Sequence, residues 1–248
     1  MRAIVASFVA LLAVLAPAAT EARSEAVTTP LRVLFVGNSL TTTNDLPATV
    51  ASLARAGGRE LEVGTVTFDG FSLEDHWNHG AVRQALAARA WDVAIMQQGP
   101  SALPESQVNL REYATRLADA ARAERIRPAL LTVWPESYRR TALSDVIVSY
   151  RGAAQTSGSE LFPAGEAWHA AWQCHTALGL YGPDGFHPSR VGTYTAALVV
   201  YGRLFKAPLL APALGPQWMS AGVARLTQAS AARALGRRVP AARRCGRA

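Results

Sequence analysis

The stretch LRVLFVGNSLTTTNDLP, residues 31–47, decides the fold. Its first part, Leu31 to Val36, is a short, continuous apolar run rich in β-branched residues, the pattern of a buried strand. Gly37 ends it. Its last part, Asn44-Asp45-Leu46-Pro47, starts a helix with proline near the first turn, and Val50, Leu53 and Ala54 recur at helical spacing until Gly57-Gly58. Between strand and helix stands Ser39. A buried strand leading at once into a helix is the first half of a β-α unit.

The same alternation continues outward. Strands are expected at Leu61 to Phe68, Asp92 to Met96, Pro128 to Val133 and, weakly, Glu160 to Phe162. Helices are expected at Leu73–Arg89, Glu105–Glu124, Ala142–Gln155, Glu166–Cys174, Arg190–Phe205 and Gln217–Leu235. Short connections between them predict an α/β fold, a central parallel sheet with helices on both faces. No repeat, linker or second core interrupts the pattern, so residues 23–230 read as one domain. In such sheets ligands bind at the carboxyl ends of the strands, which directs attention to the polar residues just after each one.

Composition agrees. Half of the 248 residues are hydrophobic and only 17% are charged, which excludes a disordered chain. The formal charge of +7 suggests a polyanionic partner until it is located. Residues 231–248 carry six arginines and no acid, and Arg2 and Glu21 cancel, which leaves about +1 for residues 23–230. The basicity therefore belongs to a C-terminal tail, expected to be flexible and capable of weak contact with an anionic surface. The tail lacks aromatic interleaving and any nucleic-acid signature, so no nucleic-acid partner is expected.

Residues 1–22 read as a signal peptide: Met1-Arg2, an apolar run from Ala3 to Leu15, then Ala16-Pro17-Ala18 as an A-x-A cleavage pattern. A secreted or periplasmic protein follows, with no transmembrane segment, since the run is shorter than the ~20 residues that span a bilayer. Cys174 and Cys245 are the only cysteines; one disulfide and two free thiols both fit the sequence.

Two strand-end or loop segments carry chemistry. Gly37-Asn38-Ser39-Leu40-Thr41 places a serine hydroxyl at a helix start, where it serves as a nucleophile or merely as a cap. Gly182-Pro183-Asp184-Gly185-Phe186-His187-Pro188-Ser189 places a carboxylate and an imidazole three residues apart in a Gly/Pro-bounded loop. A serine nucleophile needs a base, and the base needs a carboxylate to fix its tautomer. The α/β-hydrolase elbow G-x-S-x-G is absent, because position 41 is Thr.

Together the two segments resemble the SGNH/GDSL hydrolase superfamily, in the branch whose first block reads G-N-S-x-T, over essentially Leu31 to Phe205. The resemblance implies a three-layer α/β/α sandwich of flavodoxin-like type, with Ser39 as nucleophile, His187 as base and Asp184 as its orienting carboxylate. It implies an esterase acting through an acyl-serine, on a small ester or an acylated carbohydrate, with no cofactor and no metal. A carbohydrate O-acyltransferase with the same triad and a non-catalytic glycan-binding protein are its rivals.

The family's oxyanion hole takes a donor from each of three blocks, implying the Ser39 and Gly70 backbone N–H groups for the first two. In the third block Ser101 stands where the family has asparagine, so the third donor is expected to be the amide of Gln97 or Gln98 at the end of the third strand, in preference to the Ser101 hydroxyl. Three further residues are expected to meet substrate: His76 and Trp77 on a rim after Gly70, and Trp134 directly after the fourth strand. His76 and His79 form H-x-x-H, but no third ligand lies nearby in sequence, so a zinc site is not expected. The indoles of Trp77, Trp134, Trp168 and Trp172 would suit stacking on a sugar, although core packing is their commoner use.

Overall fold

The computed structural model describes residues 29–240 and Cys245. The expected signal peptide, residues 1–22, lies outside the described residues. The apolar runs form five strands: β1 (Leu31–Gly37), β2 (Leu61–Thr67), β3 (Val93–Met96), β4 (Arg127–Leu131) and β5 (Glu160–Phe162). All pair in parallel, in the order β2-β1-β3-β4-β5. The burial explains the composition. Val33 to Val36 of β1 and Val93 to Met96 of β3 are at most 1% exposed, as strands covered on both faces must be.

The helices are α1 (Ser39–Thr42), α2 (Leu46–Ala56), α3 (Leu73–His79), α4 (Ala81–Ala88), α5 (Pro104–Ala123), α6 (Leu143–Ser157), α7 (Ala164–Cys174), α8 (Arg190–Phe205) and α9 (Ala221–Ala234). They pack as two layers, α3 to α6 against one another and α2 with α7, α8 and α9. The result is a three-layer α/β/α sandwich. Strand order reverses at β1, so β2 lies on one side of it and β3 on the other. The crevice above the carboxyl ends of β1 and β3 is the topological switch point, where such sheets bind ligands. Among the described residues, no helix is long and apolar enough to cross a membrane.

Three expectations need correction. The single helix expected over Leu73–Arg89 is two, because Gly80 takes φ +84 and its N–H closes α3 on the His76 carbonyl. The last helix starts at Ala221 rather than Gln217, where the Ser220 side chain accepts from Val223 N–H and caps it. The boundary at 230/231 also fails. α9 runs across it, Ala231 and Ala232 are buried, and Val239 is buried further on.

Arg237 donates to the carbonyls of Gly202 and Ala207, acceptors at the end of α8. Cys245 bonds to Cys174 with their Cα atoms 5.0 Å apart, which settles the cysteine question. The arginine composition marked these residues as solvated; the helix-end carbonyls they satisfy were not visible to it.

Candidate active site

Ser39 owes its position to its neighbours. Gly37 is the last residue of β1, and a Cβ there would fall 2.0 Å from Gln97 Oε1, so only glycine fits. Asn38 caps α1, its Oδ1 accepting from Leu40 N–H at 3.1 Å while its Nδ2 donates to the Phe71 carbonyl at 3.0 Å. The turn is then locked to β3. Gln97 Oε1 accepts from Asn38 N–H at 2.8 Å and from Thr41 Oγ1 at 2.9 Å; its Nε2 donates to Asn38 Oδ1 and to the Gln98 carbonyl.

The second contribution comes from the loop before α8. Asp184 Oδ1 accepts from the N–H groups of Phe186 and His187, both at 3.0 Å, and Gly182 N–H donates to the His187 carbonyl. The loop is tied to the turn after β4 by the Trp134 indole N–H to Phe186 O, Tyr181 O–H to Pro135 O, and Ser137 N–H to Gly185 O. Asn44 ties its far end to the α1–α2 connection, donating to Pro188 O at 2.8 Å.

This brings three expected residues together. His187 Nε2 lies 2.9 Å from Ser39 Oγ, and His187 Nδ1 lies 2.5 Å from Asp184 Oδ2. Ionised Asp184 can only accept, so Nδ1 carries the imidazole proton and Nε2 is left free to take one from Ser39. The hydrogen bonds from the His187 imidazole and from Phe186 N–H hold the Asp184 carboxyl down at about 2.

Beside Ser39 opens a cavity of about 490 Å³, lined among others by Asn38, Gly70, Phe71, Gln98, Ser101 and Phe186. Among the described residues, neither Ser39 N–H nor Gly70 N–H finds an acceptor within the protein. Gly70 has φ +73, and a Cβ there would meet nothing, so glycine serves the backbone conformation rather than close approach. The three candidates for the third donor separate cleanly. Gln97 has given both amide hydrogens to Asn38 and Gln98, and the Ser101 hydroxyl proton goes to the Gly99 carbonyl. Gln98 accepts at Oε1 from Leu73 N–H, gives one Nε2 hydrogen to Ser101 Oγ, and keeps its second. Its backbone is anchored in turn by the buried Tyr150 hydroxyl, which donates to Gln98 O at 2.6 Å; burial pushes that phenol up.

The expected rim is not where it was placed. His76 is fully buried, and its Nε2–H donates to the Gly37 carbonyl at 2.9 Å, just before the turn that carries Ser39. Burial lowers its pKa, disfavouring the charged imidazolium. Trp77 lies under the guanidinium groups of Arg83 and Arg116 and does not line the cavity. Trp134 is buried and stacked on Trp168 at 3.6 Å, with Trp172 against the other edge of Trp168. These three indoles are scaffold, and the stacking reason for a sugar falls away with them. Nothing in the local sequence marked Phe71, Ser106, Asn109 or Phe186 as cavity walls, nor Asn38, which caps the helix directly after it.

No family model matches the chain, and no curated protein matches its sequence. Solved structures do match. A candidate SGNH hydrolase from Slackia heliotrinireducens is 30% identical with a TM-score of 0.61, over 71% of this chain and 100% of that one. The chain belongs to the SGNH hydrolase superfamily. Two more distant structures share the fold of this SGNH hydrolase. A DUF4886 family protein from Bacteroides uniformis has a TM-score of 0.73 at 19% identity, over 84% of this chain and 95% of that one. The lipase/acylhydrolase from Enterococcus faecalis has a TM-score of 0.57 at 16% identity, over 70% of this chain and 95% of that one.

Proposed function

We propose that this SGNH hydrolase cleaves an ester through an acyl-Ser39 intermediate. The observation that carries this is the chain of contacts Ser39 Oγ, His187 Nε2, His187 Nδ1, Asp184 Oδ2, at 2.9 and 2.5 Å, opening on a cavity with unpartnered N–H groups. Ser39 Oγ attacks the ester carbonyl while its proton passes to His187 Nε2. The carbonyl oxygen becomes an anion, stabilised by Ser39 N–H, Gly70 N–H and the free Gln98 amide hydrogen. Collapse breaks the bond to the alcohol, which leaves with the proton from His187. A water then gives its proton to His187 and attacks the acyl group, releasing the acid and restoring Ser39. Asp184 keeps its charge throughout and stabilises the imidazolium.

The position of Gln98 bears on the non-catalytic alternative. That reading drew its support from serine standing in place of the usual asparagine, and Gln98 offers an amide beside the same cavity. The test is turnover of p-nitrophenyl acetate by wild type and Ser39→Ala. Turnover should fall by roughly 10³-fold or more in the variant. Undiminished activity in Ser39→Ala would end the proposal.

A further inference from the structure

The sheet hands over to the active-site loop at one residue, Gln98. The ladders of β3 with β1 and β4 both end at Met96, opposite Val36 and Leu130. Gln97 N–H still reaches Val36 O at 2.9 Å, but among the described residues the Gln98 backbone meets no strand neighbour. One side chain on α6 takes the neighbours' place. The Tyr150 hydroxyl accepts from Gln98 N–H at 3.2 Å and donates to Gln98 O at 2.6 Å, with Gly99 O a further acceptor at 3.2 Å. Gln97 Nε2 shares the Gln98 carbonyl at 3.0 Å and leaves Gln98 N–H to Tyr150.

Gln98 needs that hold. A glutamine carries its amide across one more rotatable bond than an asparagine does. The tip of the side chain is fixed: Oε1 accepts from Leu73 N–H at 2.9 Å and Nε2 donates to Ser101 Oγ at 2.8 Å. The backbone end has less support. Gly99 follows, and a Cβ there would meet nothing within 4 Å, so no packing steadies the chain from that side. A side chain with a fixed tip and a loose base cannot keep its remaining hydrogen in one place. Tyr150 is fully buried and does not line the cavity, so it lies outside the reach of the ester itself.

Resting on the acyl-Ser39 reading above, with Gln98 as its third donor, we propose that Tyr150 is a positioning residue for the oxyanion: its hydroxyl holds the Gln98 backbone so that the free Nε2 hydrogen is in place before the charge develops. Donors that must reorganise as the anion forms lose much of their effect, and donors already in place do not. The uncharged ester carbonyl makes weaker use of the same hydrogen, so the gain belongs to the transition state. Acylation and deacylation both pass through the anion and slow together. Loss of the hydroxyl should therefore appear in kcat rather than in KM.

The experiment is Tyr150→Phe, which keeps the ring and its packing and removes both hydrogen bonds to Gln98. Turnover of p-nitrophenyl acetate should fall about tenfold in kcat, with KM within about twofold. Propylboronic acid, whose boron bonds to Ser39 Oγ while the serine proton passes to His187, forms a tetrahedral anion and should bind the variant about tenfold more weakly. The same change made in Gln98→Ala should cost less than about twofold, since the group it positions is gone. Tyr194→Phe controls for the loss of a buried hydroxyl. Tyr194 is 2% exposed and donates to Leu214 O at 2.9 Å, and its variant should keep kcat within about twofold. Undiminished kcat in Tyr150→Phe, a loss equally large with Gln98 absent, a rise in KM in place of the fall in kcat, or an equal loss in Tyr194→Phe overturns the proposal and leaves the acyl-Ser39 reading standing. Unchanged turnover in Gln98→Ala removes the third donor and the proposal with it. Turnover that survives Ser39→Ala overturns both.

Discussion

The turn that carries Ser39 and the loop that carries Asp184 and His187 meet at one hydrogen bond, yet they are held by different means. Around Ser39 the holding groups are polar and buried: Asn38, Thr41 and Gln97 are 6%, 2% and 1% exposed, and each hydrogen bond there depends on another. The Asp184 and His187 side chains are 50% and 32% exposed, and their loop hangs on backbone bonds and on the indole of Trp134. A buried polar network fixes geometry firmly but costs heavily when one member is lost, since its partners stay desolvated. An exposed loop can lose a side chain to water. Damage at the turn should therefore unfold, and damage at the loop should only inactivate.

The largest expected effect tests the loop. Asp184→Asn should lower kcat on p-nitrophenyl acetate by roughly 10³- to 10⁴-fold, because asparagine no longer dictates the imidazole tautomer. The melting temperature should hardly move, and a large fall would erase the contrast. Because Asp184 is held at about 2, it remains ionised as pH falls toward that value. An acid limb in the rate profile should therefore persist in form when Asp184 is intact and report another group.

Next comes Gln98→Ala. Removal of one preorganised donor should cost about 10²- to 10³-fold in kcat, with KM little affected. Gln97→Ala or Ser101→Ala assayed beside it should not reproduce that pattern at equal stability. Gln97→Leu tests the turn instead. It strands the N–H of Asn38 and the hydroxyl of Thr41, removes one of the two donors to Asn38 Oδ1, and should destabilise by about 2–4 kcal/mol in denaturant titration. A stable Gln97→Leu protein that is merely inactive would mean the network positions Ser39 without supporting the fold.

The smallest effect concerns His76. Burial depresses its pKa below 6.5, so the unfolded chain binds a proton there that the folded chain refuses. The sign follows: this contribution is full above about pH 6.5 and is lost as pH falls through the window below it. His76→Gln should flatten the fall of melting temperature below about pH 6.5 relative to wild type. Parallel curves would remove His76 from the account of acid sensitivity.

Much of this was legible. The strands β1 and β3 announced themselves as unbroken apolar runs, because two-sided burial leaves no room for polar alternation. Asp184 and His187 could be paired because three residues of loop are enough to bring them together. The third oxyanion donor could only be narrowed to Gln97, Gln98 and Ser101, since all three sit at one strand end and differ only in distant partners. The rim was misplaced for the same reason. A histidine on the first helix after Gly70 reads as exposed, until the fold shows its imidazole donating to Gly37, 39 residues earlier. Trp134 was likewise placed by its position after β4, without sight of Trp168, on which it stacks.

The sequence by itself determined the order of strands and helices, the glycine at the end of β1 and the serine, aspartate and histidine types at their strand-end and loop positions. Those follow from interactions within a few residues: periodicity, caps, turn chemistry and spacing. Only the tertiary structure decided which amide keeps a hydrogen for the cavity, which aromatic rings are buried, and which hydroxyl holds the Gln98 backbone. Each of those depends on a partner far along the chain, such as Leu73 and Tyr150 for Gln98 and Trp168 for Trp134. Hydrogen bonds saturate, and a donor's remaining capacity is known only when every partner is in place.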